Sequence, residues 1–358
     1  MMKKRFRIGL YMMILCTLLT GCKESSSGSA KNSKMERYSA YFFDVFDTQT
    51  TVVGYAESQQ AFDEKVAQIQ ACLTEYHCLY DIYNDYDGIA NIKTINDNAG
   101  VEPVVVDQKI IDLLKMSKEM YEITSGKVNV AMGSVLSIWH EHRDYGRENP
   151  ESATLPDMEA LKAASAYMDI DKVIIDEEAS TVYLKDAEMS LDVGGIGKGY
   201  AVQKTAEYAR EIGLTDGLIS VGGNAVALGK KEDGALWKIG VENPDSESEE
   251  AYVAVVNVTD ACVVTSGDYQ RYYEVDGVRY CHIIHPDTLM PANEFSSVTI
   301  VSADSGWADA LSTAVFNMTL EEGMTLINSL SDIEAMWVTP EGDFYYSDGF
   351  DKLMDSNE

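Results

Sequence analysis

The 358 residues carry 59 acidic against 28 basic side chains, a formal charge of −31. A nucleic-acid binder or a polybasic membrane-surface protein needs a basic face, and this balance excludes both. A hydrophobic content of 46% excludes a mainly disordered chain.

At the N-terminus Lys3, Lys4, Arg5 and Arg7 precede an apolar run from Ile8 to Leu19, too short to span a bilayer as a stable helix. This is the layout of a secretory signal. It ends in Leu19-Thr20-Gly21-Cys22, which resembles the bacterial lipobox, whose cysteine receives diacylglycerol and becomes the mature N-terminus. The expected product is lipid-anchored through Cys22 on the extracytoplasmic side of a bacterial cell membrane. A Ser/Lys/Gly/Asn-rich stretch follows and reads as a flexible tether. The expected organisation is residues 1–22 signal, 23–38 tether and 39–354 a single domain. Four cysteines remain in the body, Cys72, Cys78, Cys262 and Cys281. They show no CxxC and no Cys/His ligand spacing, so they read as small buried hydrophobes rather than a zinc site or a disulfide frame.

Along the body, Tyr41 to Ala56 reads as a strand pair around Asp47-Thr48. Glu57 to Tyr83 reads as an amphipathic helix, with Phe62, Val66, Ile69, Leu73, Tyr76, Tyr80 and Tyr83 on one face. Asn84 to Gly100 reads as a polar loop, near which Tyr83 and Tyr86 can stack on a planar ring. A second helix is expected over Asp107 to Thr124 and a third over Thr154 to Tyr167. Short β runs follow at Val173 to Asp176, Thr181 to Leu184 and Met189 to Val193. A glycine cluster then opens a helix from about Lys198 to Ile212. Leu218 to Leu228 reads as strand, Gly-Gly turn, strand. Further strands are expected at Trp237 to Val241, Tyr252 to Val258 and Cys262 to Thr265. Between Val275 and Val278, Asp276-Gly277 signals a two-residue hairpin turn. That register places Arg271, Tyr273, Tyr280 and His282 on one face. Val298 to Val301 is a strand, Asp304 to Met318 and Glu321 to Leu330 are helices, and Glu334 to Tyr346 is a hairpin turning at Pro340-Glu341-Gly342. Strands and helices mix without regular βαβ alternation, which gives an α+β fold of mixed and antiparallel sheets with packed helices.

Three segments carry candidate chemistry. Asp192-Val193-Gly194-Gly195-Ile196-Gly197-Lys198 is a strand running through glycines into a helix N-terminus, where backbone N–H groups and Lys198 suit a phosphate. It lacks the spacing of a P-loop or a Rossmann fingerprint, and a tight strand–helix turn explains it equally well. Asp309 and Thr313 lie i, i+4 on a helix and present two hard oxygens, part of a Mg²⁺ shell. Read alone, Asp309 is a helix-dipole partner. His282, on the hairpin face, is a candidate acid/base or an ordinary strand-end histidine.

In order along the chain, these segments resemble the FAD:protein FMN transferase family, the ApbE-type flavin transferases. The resemblance rests on Phe46-Asp47-Thr48, Tyr86 to Asn91 with Ile95-Asn96, Asp192 to Ala201, Ser220 to Asn224, Thr265 to Tyr269, His282 to Pro286 and Ala308 to Thr313. It implies a Mg²⁺-dependent transfer of the FMN half of FAD to a threonine hydroxyl of an acceptor protein, with release of AMP. The implied partners are acceptor proteins with an FMN-binding domain, such as subunits of membrane redox complexes. Asp309 and Thr313 are then expected to supply metal oxygens with the Gly195 carbonyl, and Asp192 and Lys198 to contact the flavin nucleotide. His282 becomes the catalytic candidate and the Ile283 backbone touches FAD. Phe46, Tyr86, Val128, Asn129 and Val130 are expected to line the nucleotide pocket. Two departures stand out. His285 replaces the usual Asp, which leaves open what supports His282, and Val128-Asn129 replaces Phe-Asp. The rival expectations are a FAD pyrophosphatase giving FMN and AMP, and a lipoprotein that only binds flavin.

Overall fold

A computed structural model describes residues 35–354; the expected signal, Cys22 and tether residues 23–34 lie outside the described residues. In chain order the elements are β1 (Glu36–Val45), β2 (Thr48–Ala56), α1 (Gln59–Tyr80), α2 (Ile92–Asp97), β3 (Val104–Val105) and α3 (Gln108–Ile123). Next come α4 (Gly133–Glu148), α5 (Met158–Ser165), β4 (Val173–Asp176), β5 (Thr181–Leu184) and α6 (Gly197–Glu211). The middle of the chain is β-rich: β6 (Gly217–Val221), β7 (Asn224–Leu228), β8 (Trp237–Glu242), β9 (Tyr252–Val258), β10 (Cys262–Gly267), β11 (Tyr272–Val275) and β12 (Val278–Cys281). It closes with β13 (Ser297–Ser302), α7 (Ser305–Phe316), α8 (Leu320–Ser329), β14 (Glu334–Val338) and β15 (Phe344–Tyr346). This is the expected α+β class.

The frame is an eight-stranded sheet in the order β1-β2-β6-β7-β10-β13-β14-β15, antiparallel at every step. Its strands alternate with period two, so each feeds two cores. Cys262, Val264, Val298, Ile300 and Trp337 face a large core shared with α1, α6 and α7. Val263, Val301, Met336 and Val338 face a second core closed by the β8–β9 hairpin, through Trp237, Val241, Val256 and Val258, and by Phe350. A third cluster joins Val135 and Trp139 of α4 to Tyr273, Ile284 and Leu289 around the β11–β12 hairpin.

Several boundaries differ from expectation, each for a local reason. Strand β1 starts at Glu36, paired with Ala56, so residues 36–38 of the expected tether are strand. Helix α1 buries the expected face but stops at Tyr80, because the Asp81 carboxylate accepts the Tyr83 and Asn84 N–H groups (2.6 and 3.2 Å) and turns the chain. Tyr83 therefore leaves the core face and is 59% exposed. The expected loop over 84–100 contains α2, started by a capping box of Asn91 and Thr94. Helix α5 begins at Met158 rather than Thr154, since Pro156 disfavours helical geometry at the residue before it and Asp157 caps the helix. Helix α4 has no counterpart among the expected elements. Met189 to Val193 forms no strand: the Asn96 amide brackets Leu191, accepting its N–H (2.7 Å) and donating to its C=O (2.9 Å), in place of a ladder. The four body cysteines are free, Cys262 and Cys281 buried, Cys72 and Cys78 half-buried.

Candidate active site

Helices α6 and α7 meet at Gly199. A β-carbon there would overlap the Asp309 Cβ and the Ser305 carbonyl oxygen, so only glycine permits the approach. The contact delivers the Gly199 N–H to Asp309 Oδ2 at 2.7 Å. Helix α6 has no side-chain cap of its own on Ile196, so Asp309, from the next helix, satisfies one of its orphan donors. The dipole partnership expected of Asp309 is thus real but belongs to α6, while Asp304 caps α7 through the Gly306 and Trp307 N–H groups (2.8 and 3.0 Å). The other carboxylate oxygen, Oδ1, lies 3.6 Å from Lys198 Nζ. Burial lowers the Lys198 pKa; the Asp309 charge opposes that shift and the Arg271 charge adds to it. One turn along α7, Thr313 Oγ1 stands 3.4 Å from the Gly195 carbonyl oxygen.

The glycine turn is pinned from both ends. The Asp192 N–H donates to the Val130 carbonyl (2.8 Å) and Asp192 Oδ1 accepts the Gly194 N–H (2.8 Å). Residues 128–130, expected in the pocket, thereby form its adjoining wall. Asp192 Oδ2 faces His140 Nε2 of α4 at 3.8 Å, and His140 Nδ1 meets the Tyr83 hydroxyl at 3.0 Å.

Another wall is made by the residues that flank the β11–β12 hairpin, 269–271 and 282–284. The hairpin's observed register, Tyr273 with Tyr280 and Val275 with Val278, is the expected one. Beyond the ladder, the His282 N–H donates to the Arg271 carbonyl (3.0 Å), and His282 Nδ1 lies 3.2 Å from that same oxygen. A carbonyl only accepts, so the proton sits on Nδ1 and Nε2 keeps its lone pair. Burial, and then the Arg271 and Arg143 charges, depress the His282 pKa to about 3. His282 is therefore neutral and able to accept a proton. The group that orients it is this backbone carbonyl, not residue 285: His285 Nδ1 instead accepts the Asp287 and Thr288 N–H groups (3.1 and 3.3 Å) and shapes the turn after the strand.

These walls enclose a cleft of about 1090 Å³, the scale of a dinucleotide site. It brings together the expected Phe46, Val128, Asn129, Val130, Asp192, Gly195, Lys198, His282, Ile283, Asp309 and Thr313. Tyr86 is not among its lining residues. Its hydroxyl donates to Asp81 Oδ2 at 2.7 Å, and so it positions Asp81, which lines the cleft. Sequence reasoning missed His140 and Arg143, which α4 carries into the cleft, and the guanidinium of Arg271. Their i, i+3 spacing after the apolar Trp139 was the available signal for the first two.

Among the described residues no group of three or more His, Cys, Asp or Glu stands where it could hold a metal. Where α6 and α7 meet, the cleft instead offers one carboxylate, one hydroxyl and one carbonyl: Asp309, Thr313 and Gly195. Hard oxygens with a single charge suit Mg²⁺, which keeps waters and recruits substrate phosphate, and do not suit zinc.

The model of the ApbE family matches residues 46–337. A FAD:protein FMN transferase of Klebsiella pneumoniae is 32% identical over 72% of this chain and 78% of its own length. One of Treponema pallidum is 31% identical over 94% of this chain and 91% of its own. The crystal structure of the ApbE protein of Thermotoga maritima superposes with a TM-score of 0.79 at 27% identity, covering 90% of this chain and all of that one. The family match spans both walls of the cleft and both helices that meet at Gly199, and the chain belongs to the ApbE family.

Proposed function

We propose that this protein is a FAD:protein FMN transferase that moves the FMN half of FAD to a threonine hydroxyl of an acceptor protein and releases AMP. The observation that carries the reading is the convergence, in one dinucleotide-sized cleft, of Asp309, Thr313 and the Gly195 carbonyl with Lys198 and the neutral imidazole of His282. Those three oxygens would hold Mg²⁺, which when bound would supply Lewis-acid neutralisation of the diphosphate. Lys198 adds a positive charge at the α6 N-terminus, whose dipole favours the same anion. His282 Nε2 takes the threonine proton as the threonine oxygen bonds to the phosphorus nearer riboflavin. The bond from that phosphorus to the bridging oxygen breaks, and AMP leaves with the electron pair. The negative diphosphate beside His282 raises its pKa from the depressed value of the free protein, towards the range where a base works best.

The reading extends to place and partner. Leu19-Thr20-Gly21-Cys22 supports a diacylglyceryl anchor on the extracytoplasmic face of a bacterial membrane, within reach of redox subunits that carry an FMN-binding domain. Among the described residues no helix is long and apolar enough to cross a membrane. The test incubates protein, FAD, Mg²⁺ and an acceptor domain. Flavin fluorescence that runs with the acceptor on a denaturing gel, with one AMP per attached flavin, is the expected result. Free FMN with an unlabelled acceptor would make the protein a pyrophosphatase, and bound FAD without AMP a flavin carrier. For the anchor, labelled fatty acid should enter the wild-type chain and not Cys22→Ala; equal labelling of both would remove it.

A further inference from the structure

Arg271 has a surplus that the mechanism above leaves unused. It stands opposite His282 across the hairpin, one step past the ladder, where directly opposed residues share a face. Its carbonyl orients the imidazole, yet its side chain also lines the cleft. There the guanidinium makes one long bond, Nη2 to the Phe46 carbonyl oxygen at 3.4 Å. Among the described residues Arg143, Arg210 and Arg279 each face a carboxylate, whereas Arg271, like Arg37 and Arg147, has no ion-pair partner, and of these three it alone lines the cleft. A chain with 59 acids and 28 bases does not leave an arginine unpaired at a cleft wall for want of carboxylates. Among the described residues, most of its five N–H donors, set in a rigid fork that fits phosphate, meet no protein acceptor.

We infer that Arg271 is a further catalytic residue, whose guanidinium grips the non-bridging oxygens of the phosphoryl group under attack. The inference rests on the transferase reading. The oxygens of Asp309, Thr313 and Gly195 would hold the divalent ion that neutralises the diphosphate; Arg271 meets the transferred phosphoryl from the hairpin side, next to the base that activates the threonine. As the threonine oxygen bonds to phosphorus and the bridging bond breaks, charge shifts over the oxygens being transferred. A fixed fork stabilises that arrangement more than the ground state. One residue then sets both parts of the reaction, the base through its carbonyl and the electrophile through its side chain.

The experiment compares wild type with Arg271→Gln, Arg271→Lys and Arg271→Ala in FMN transfer to an isolated FMN-binding domain, with FAD and Mg²⁺ saturating. FAD affinity is measured separately by flavin fluorescence. Arg271→Gln should lower kcat about 10²- to 10³-fold, the usual loss for a transition-state donor, while FAD affinity changes by less than about tenfold. Arg271→Lys, a point charge without the fork, should recover only part of the rate. Millimolar guanidinium should rescue Arg271→Ala and leave His282→Asn unrescued, a readout that a merely structural role would not move. A kcat for Arg271→Gln within threefold of wild type would overturn the assignment, as would a loss confined to KM. Failure of wild type to label the acceptor would overturn the transferase reading itself, and this inference with it.

Discussion

Gly199→Ala adds one methyl group at the point where the site is assembled. The new β-carbon would lie 3.0 Å from Asp309 Cγ and closer still to Asp309 Cβ and the Ser305 carbonyl oxygen. Carbon atoms settle at about 3.5–4.0 Å, so α6 and α7 must part by about 1 Å. Overpacking of this kind costs about 1–3 kcal/mol. Parting the helices also stretches the 2.7 Å bond from the Gly199 N–H to Asp309 Oδ2, and a hydrogen bond to a charged group contributes about 1.5–3 kcal/mol. The two effects share one displacement, so the expected loss is about 3–4 kcal/mol rather than their full sum. Urea unfolding reads the stability directly, as a lower midpoint at unchanged slope. A shift of about 1 Å in a reacting group also lowers rate about 10²-fold, so transfer should fall by that order in the fraction still folded. A variant within 1 kcal/mol of wild type and fully active would refute the claim that this close approach builds the site.

Other outcomes follow from the same geometry. Asp309→Asn should abolish the response of transfer to added Mg²⁺ and lower the rate at least about 100-fold; a normal metal titration would move the ion site elsewhere. His282→Asn should bind FAD yet lose transfer, and unimpaired transfer would remove His282 from the mechanism. The His282 pKa is about 3 when folded and about 6.5 when unfolded. The unfolded chain therefore binds the extra proton between those values. Stability from this group is complete above about pH 6.5 and is lost as pH falls towards 3, and His282→Asn should flatten that limb of a stability–pH curve. Asn96→Ala strips Leu191 of two hydrogen bonds at once, which should cost about 2–4 kcal/mol. Stability equal to wild type would mean that water takes the place of the amide.

The parts of this molecule that local sequence could specify were legible. The Asp276-Gly277 turn defines the hairpin register, and that register puts Arg271 opposite His282 before any coordinates are known. The alternating strands of the large sheet and the long apolar face of α1 announce themselves in the same way. What stayed hidden depends on residues far apart in sequence. Helix α4 confines its apolar residues, Val135, Leu136, Ile138 and Trp139, to its first two turns, because it packs on the small cluster around Tyr273, Ile284 and Leu289 rather than on the main core. Residues 189–193 carry the composition of a strand, but their partner is a side-chain amide 95 positions away, which no periodicity encodes. Tyr86 sits in a loop that reads as ligand-facing, yet the Asp81 carboxylate, five residues earlier, captures its hydroxyl.

The charge of the site explains why it needs so few acids. A chain of −31 repels an anionic dinucleotide at long range, although screening confines that repulsion to about 8 Å at physiological salt. Inside that distance the local balance governs. A site of three carboxylates would hold a divalent cation tightly and leave it no net positive charge for the diphosphate. One carboxylate, Asp309, with the Thr313 hydroxyl and the Gly195 carbonyl, leaves the ion with excess positive charge, and Asp309 already shares its charge with Lys198 and the Gly199 N–H. Such a site would bind a divalent ion weakly alone and strongly once the diphosphate supplied the missing oxygens. By linkage the ion would strengthen dinucleotide binding by the same factor. The acidic surface and a singly charged ion site are then compatible, because each half of the substrate complex completes the site for the other.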